Sequence, residues 1–184
     1  MENFKHMPIL NIEIKAGTKK QTHIREALGL LKATFKGIDY QTDTYFNVHS
    51  GRLKLREGNI ENHLIHYQRE NQSGPRSSEV LLYKTQAGSA IKEILTKALG
   101  ILVVVNKKRE IYFIDNVKFH IDEVDELGYF VEIEAIDKNG TIGRDALQEQ
   151  CTYYMKLFDI AENELVPISY SDMLLKTNIL NKSL

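Results

Sequence analysis

Like charges recur two residues apart along this sequence, and they are the residues that could do chemistry. Lys54 with Arg56 and Lys107 with Arg109 are cations at i and i+2, and a further cationic stretch runs from Tyr67 to Arg69. Glu132 with Glu134 is the acidic counterpart, Asp122 stands shortly before it, and Glu13 with Lys15 sets one charge of each sign side by side. Residues two apart on a strand share a face and lie about 6.5–7 Å apart. Clustered cations repel: at 4 Å and an effective dielectric near 20, a like-charged pair costs ~4 kcal/mol. Such a cluster is tolerated where water screens it or an anion sits among its members. The carboxylates of Glu13, Asp122, Glu132 and Glu134 are hard oxygen ligands suited to Mg²⁺ or Mn²⁺. Taken singly, each run reads as a solvated strand edge. Repeated on several strands, they describe a place for a polyanion and a divalent metal, and phosphoryl chemistry asks little more of a protein.

Other chemistry has less support. His63 and His66, close to Glu61, are three apart, which on a strand puts them on opposite faces; they read as surface histidines rather than a zinc site. His120 shares a face with Lys118 and Asp122 and is a candidate for the same charged surface. Cys151 falls at helical spacing with Leu147, Tyr154 and Phe158 and reads as a packed small hydrophobe. No G-x-S-x-G, Walker A or G-x-G-x-x-G arrangement is present, so triad-hydrolase, P-loop and Rossmann readings have no motif behind them.

The elements that must position these charges are mostly strands. Ile12 and Ile14 alternate with Asn11, Glu13 and Lys15; Leu53 and Leu55 with Arg52, Lys54 and Arg56; Val117, Phe119 and Ile121 with Lys118, His120 and Asp122; Val131, Ile133 and Ala135 with Phe130, Glu132 and Glu134. Period two with one apolar and one polar face is the signature of half-buried strands. Further strands are expected over 44–48, 63–70, 79–85 and 101–114, the last broken near its middle. Turn chemistry at 49–51, 58–59, 115–116 and 126–128 separates them. Helices are expected over 20–31, 89–99 and 144–158, with a short one around 172–176. About eight mainly antiparallel strands with few helices make the class α+β.

Composition sets the outer bounds. The chain has 184 residues, 42% hydrophobic and 27% charged, with 24 Lys+Arg against 25 Asp+Glu for a net charge of −1. One domain, 1–184, is expected at this length. The near-cancellation argues against a nucleic-acid coat, which needs a basic excess. No apolar run approaches the ~20 residues of a membrane helix, and residues 1–10 lack the apolar core of a signal peptide. The lone Cys151 cannot form an internal disulfide, so a reducing, cytoplasmic setting is expected.

The sequence resembles the CYTH superfamily, the triphosphate tunnel metalloenzymes. The family's ExExK signature appears as Asn11-Ile12-Glu13-Ile14-Lys15. The likeness continues through Gln41–Phe46, Gly51–Glu57, Tyr67-Gln68-Arg69, Gly74–Ser77, Lys107-Lys108-Arg109, Ile121–Val124 and Leu127–Glu134. The 165–172 ending and the 67–77 stretch look like the branch containing the class IV adenylate cyclases. The resemblance implies a closed antiparallel eight-stranded β-barrel with helices packed outside and the charged face turned inward. It implies that Lys15, Lys54, Arg56, Arg69, Lys84, Lys107 and Arg109 grip a triphosphate. Glu13, Glu132 and Glu134 would be the catalytic acids and, with Asp122 near them, the holders of Mg²⁺ or Mn²⁺. The implied partner is a small-molecule triphosphate (nucleoside, thiamine or inorganic), not nucleic acid or membrane; oligomeric state stays open, a homodimer among the options. Hydrolysis at phosphorus is the leading expectation, with cyclisation of ATP to cyclic AMP and turnover-free binding of polyphosphorylated metabolites as alternatives. Asn11 departs from the signature: it brings a carbonyl oxygen but no charge, so weaker metal affinity, an altered second metal position or a shifted activity is expected.

Overall fold

Strands with one apolar and one charged face must bury the first and decide where the second points. In the computed structural model, which describes residues 10–68 and 76–182 (backbone only at 76–79 and 180–182), eight antiparallel strands make that choice. They are β1 (Leu10–Gly17), β2 (Thr34–Phe46), β3 (Arg52–Glu57), β4 (His63–Gln68), β5 (Arg76–Lys84), β6 (Ile101–Ile114), β7 (Val117–Val124) and β8 (Gly128–Asp137). The helices are α1 (Gln21–Leu30), α2 (Ile91–Leu99), α3 (Arg144–Leu157) and α4 (Tyr170–Lys182), with a 3-10 turn at Glu162–Glu164. Among the described residues no helix is long and apolar enough to cross a membrane.

The strand order is β1-β5-β4-β3-β2-β6-β7-β8, and β8 returns to β1. The β1–β8 ladder runs the length of β1, from Leu10 opposite Asp137 to Gly17 opposite Phe130. Among the described residues the β1–β5 ladder has three residue pairs, Asn11–Ser78, Ile12–Ser77 and Glu13–Arg76. The sheet thus curls on itself, β1 pairing with β8 along its whole length and with β5 at these three positions. Eight strands in antiparallel order, with helices packed on them, are as expected.

Packing decides which face is inside. Ile12, Ile14 and Ala16 of β1, Val117, Phe119 and Ile121 of β7, and Val131, Ile133 and Ala135 of β8 form one core with Ile24 and Leu28 of α1 and Leu147 and Cys151 of α3. These helices cover the outside of the β7-β8-β1 wall, so the alternate, charged positions point inward. A second core joins Tyr45, Ile65, Tyr67, Val103, Val105, Val124 and Phe130 to Tyr170 and Leu174. There α4 packs against inward-facing residues and stops one end of the barrel.

Several elements differ from expectation, β2 most of all. β2 begins at Thr34 rather than 44, and β6 runs unbroken. In β2 the inward Asp39, Gln41 and Asp43 are buried although polar, while outward Tyr40 is exposed. The usual apolar-in, polar-out pattern is inverted and does not read as a strand. Gly37, at φ 135, also sits at a register shift between Phe35 and Gly37, which breaks the alternation.

Candidate functional site

Inward alternation on β1, β3, β6 and β7 brings Lys15, Lys54, Arg56, Lys107, Arg109 and Lys118 onto one cavity of about 270 Å³. That is near the lower end of the ~300–1,000 Å³ of small-molecule sites. Buried acids organise these cations. Asp43, 1% exposed, lies on β2 between β3 and β6. It accepts hydrogen bonds from Lys54 Nζ at 2.9 Å, Lys107 Nζ at 2.7 Å, and Arg56 Nε and Nη2 at 2.8 and 3.0 Å. Arg109 forms a second knot, donating from Nε to Asp122 at 2.7 Å and from Nη2 to Glu132 at 2.7 Å. Glu132 also lies 3.3 Å from Lys15 Nζ and 3.1 Å from His120 Nδ1. Glu61, from the β3–β4 loop, spans the cavity by accepting from Arg56 Nη1 at 2.9 Å and Lys118 Nζ at 2.6 Å.

The charges act on one another. Burial alone would raise the Asp43 carboxyl, but Arg56, Lys107 and Lys54 outweigh it and hold it well below the usual range. Burial, with Arg56, Arg109 and Lys54 close by, pushes the Lys107 ammonium down to about 7; Asp43 opposes this but is shared among three cations. Burial, then Arg109 and Lys118, push the His120 imidazole down to about 3. His120 is therefore neutral, donates from Nδ1 to the Glu132 carboxylate, and keeps a buried Nε2 without a partner.

The remaining acids face each other. Glu13 and Glu134 are register partners across β1 and β8, and both line the cavity. Burial raises the Glu134 carboxyl, with Glu13 and Glu132 adding to the effect against Lys118 and Arg109. Asn11 Nδ2 donates to Glu134 Oε1, while Asn11 Oδ1 is buried with no partner. Two facing carboxylates and an orphaned carbonyl oxygen fit a hard divalent cation, which would relieve their repulsion and occupy that oxygen. Among the described residues no group of three or more acid, histidine or cysteine side chains is already closed around such a position.

Several expected residues stand elsewhere. Asp122 is fully buried, held by Arg109 and by the Tyr170 hydroxyl at 2.8 Å; it does not line the cavity and braces Arg109. Lys84 is exposed at the end of β5, in register with His63, and is likewise absent from the lining. Arg69 lies outside the described residues. His63 lines the cavity rather than the outer surface, and His66, on the opposite face, contacts Ser50 O at 3.2 Å. Sequence reasoning assigned no role to Asp43, Glu61, Lys118 or Tyr170. Asp43 shares parity with Gln41 and Tyr45, a usable signal once β2 is known to extend. Tyr170 offers no periodic signal; its ring lies 4.0 Å from Lys15 Nζ because α4 folds back over the barrel.

This arrangement, a curled antiparallel sheet with cations and acids on its inner face, is that of a known class. The CYTH domain family model matches residues 10–164, and the chain belongs to that family. Among solved structures, the PH1012 protein of Pyrococcus horikoshii superposes with a TM-score of 0.73 at 24% identity, covering 88% of this chain and 98% of that one. A "putative adenylate cyclase" of Vibrio parahaemolyticus superposes with a TM-score of 0.74 at 15% identity, covering 91% and 99%. A "putative adenylyl cyclase" of Hippeastrum, described as revealing a dominant triphosphatase activity, gives 0.59 at 13% identity, covering 91% and 94%. No curated protein matches the chain in sequence.

Proposed function

We propose that the chain is a divalent-metal-dependent enzyme that binds a triphosphate in its barrel and hydrolyses it at phosphorus. The observation that carries this is the convergence of Lys15, Lys54, Arg56, Lys107, Arg109 and Lys118 on one cavity that also holds the facing Glu13 and Glu134. The cations grip the phosphate oxygens and hold the chain of phosphates in place. Water attacks the terminal phosphorus, the bond to the bridging oxygen breaks, and diphosphate (free or esterified) leaves with the electron pair. Glu13 and Glu134, with Asn11 Oδ1, are the residues suited to Mg²⁺ or Mn²⁺, and Glu132 orients Lys15, Arg109 and His120 around them. The metal supplies neutralisation of charge on the phosphoryl oxygens and activation of water. The relative with a dominant triphosphatase activity supports hydrolysis over cyclisation. The buried single Cys151 accords with a reducing, cytoplasmic setting, and we take 1–184 as one domain.

Incubation with inorganic triphosphate and with ATP, each with Mg²⁺ and with Mn²⁺, separates the readings by product. Release of orthophosphate supports hydrolysis; cyclic AMP with pyrophosphate assigns the chain to the cyclases instead. A second, non-catalytic reading is favoured by Asn11, which leaves the acid cluster one charge short. Tight binding without product, unchanged in Glu132→Gln and Glu134→Gln, would establish it.

A further inference from the structure

Of the acids that hold the cavity's cations, Glu61 differs in where it stands. Asp43 and Glu132 belong to strands and pair with cations along the same wall. Glu61 reaches in from the β3–β4 loop. Its carboxylate joins Arg56 on β3 to Lys118 on β7, and β2 and β6 lie between those strands in the barrel order. It therefore spans the lumen instead of lying against one wall. It also stands away from α4, which is tied to the barrel through Arg52–Asp172 and Asp122–Tyr170. Arg56 and Lys118 are each four residues further along their strands, about 13 Å from those contacts.

The loop is built to present this carboxylate. Buried Asp39 of β2 accepts hydrogen bonds from the backbone N–H groups of Ile60 at 2.8 Å and Glu61 at 3.0 Å. Gly58 approaches the same acid so closely that a Cβ would come within 2.5 Å of it. Asn59 accepts from Tyr40 N and donates to Ile38 O. None of these contacts uses the Glu61 side chain, so the loop keeps its shape without that charge. The charge itself is secure: burial would raise the Glu61 carboxyl, but Lys118 and Arg56, with His120, outweigh it and hold it well below the usual range. One oxygen meets Arg56 Nη1 at 2.9 Å and the other meets Lys118 Nζ at 2.6 Å, while Gln41 Nε2 adds a longer contact at 3.3 Å. A phosphoryl group also offers paired anionic oxygens on one central atom, and so suits the same gap. Lys118 is the register partner of Glu134, which puts that gap beside the facing acids.

We propose that Glu61 is the resident anion of the reacting phosphoryl position: substrate displaces it, and it in turn displaces the orthophosphate product. This inference rests on the triphosphate reading and adds to it how the site is emptied. Triphosphate displaces Glu61 because its other phosphates engage Lys15, Lys54, Lys107 and Arg109 as well. The Glu61 side chain, 18% exposed, turns toward water about its own bonds while the backbone stays clamped. After hydrolysis the orthophosphate is severed from the diphosphate and keeps only the cations of the gap. A tethered carboxylate, at an effective concentration on the order of mM, then replaces it.

The test is equilibrium binding of inorganic triphosphate and of orthophosphate to the full chain, with a chelator present so that no turnover occurs. Glu61→Gln keeps the shape and removes the charge; it should tighten both anions by about tenfold or more, since the cations are no longer occupied by an internal competitor. Glu61→Asp keeps the charge but is one methylene too short to bridge Arg56 and Lys118 from a clamped backbone. It should shift both affinities the same way by less, and it carries the test if the Gln variant loses its thermal transition. Glu57→Gln removes an equal charge from the pair with Lys92 outside the cavity and should leave both Kd values within about twofold. Anion binding that is weaker or unchanged in Glu61→Gln, or tightening of triphosphate without tightening of orthophosphate, overturns the inference and leaves the triphosphate reading intact. Failure of triphosphate to bind the folded parent and variants, with chelator and with Mg²⁺ alike, overturns both.

Discussion

Asp43 carries more of the site than any residue that charge spacing alone would single out. One carboxylate holds Lys54, Arg56 and Lys107, which without it would face one another in a buried space. Removing one partner of a buried ion pair costs ~3–5 kcal/mol, because the other charge is left uncompensated. Asp43→Asn should therefore lower the urea midpoint of unfolding by an amount in that range, and added triphosphate should restore more stability to the variant than it adds to the parent. Equal ligand effects in the two proteins would mean that Asp43 does not set the cation cluster. Lys107 gives a second expectation at this scale. Its folded pKa, about 7, is below the usual lysine value, so above pH 7 the native state binds fewer protons here than the unfolded chain, and this group makes stability rise with pH toward its unfolded pKa. A bound polyanion has the opposite preference and favours the charged ammonium. Triphosphate affinity should fall as pH rises through 7, by up to about tenfold per unit for the one proton involved. Proton uptake should be visible by calorimetry in buffers of different ionisation enthalpy, and Lys107→Arg, which cannot titrate, should remove that component. Asn11 shows the same economy of charge: its amide donates to Glu134 where a carboxylate would repel it.

Elements were legible where their outward face is apolar and obscure where it is not. β1, β7 and β8 alternate cleanly because α1 and α3 cover one side of them, and the acids and cations on their other side were visible from spacing. β2 was mostly hidden, since its inward Asp39, Gln41 and Asp43 are polar and buried; the strand that anchors the cation cluster looks like a loop. Whether charges point in or out was not legible from period two at all, because alternation is symmetric between faces and only the position of the helices breaks the symmetry. Nor did spacing reveal what α4 does. Tyr170 lies under Lys15, packs at a tilt against Phe130 with ring centroids 5.0 Å apart, and donates its hydroxyl to Asp122. Tyr170→Phe keeps the ring and removes the hydrogen bond, which to a charged acceptor contributes ~1.5–3 kcal/mol. Tyr170→Ala also removes the ring, and large aromatic truncations in cores cost ~3–5 kcal/mol. Chemical unfolding should rank parent, Phe variant and Ala variant in that order. An Ala variant as stable as the Phe variant would show that α4 does not close the end of the barrel through this ring.

At the scale of the whole molecule, a net charge of −1 conceals an interior that neutralises itself. Asp43, Glu61, Asp122 and Glu132 take up Lys54, Arg56, Lys107, Arg109 and Lys118 through ion pairs, so the barrel can fold with no ligand inside it. A polyanion must then compete with Asp43, Glu61 and Glu132 for their cations while lying near Glu13 and Glu134. A divalent ion held by those two carboxylates turns that side from repulsive to attractive. Triphosphate and metal should therefore bind with positive coupling, each raising the affinity for the other by the same factor. With the metal site already saturated, triphosphate at a hundredfold excess over its dissociation constant should raise stability by a further ~2.7 kcal/mol. For a chain of this length that corresponds to an increase in Tm of roughly 5–10 °C. With a chelator in place of the metal, the same triphosphate concentration should give a clearly smaller shift. In the Glu13→Gln, Glu134→Gln double variant the repulsion is gone, so the chelator should make little difference. A parent protein whose shift is the same with metal and with chelator would separate the two halves of the cavity, leaving an anion site whose facing carboxylates serve something other than a metal.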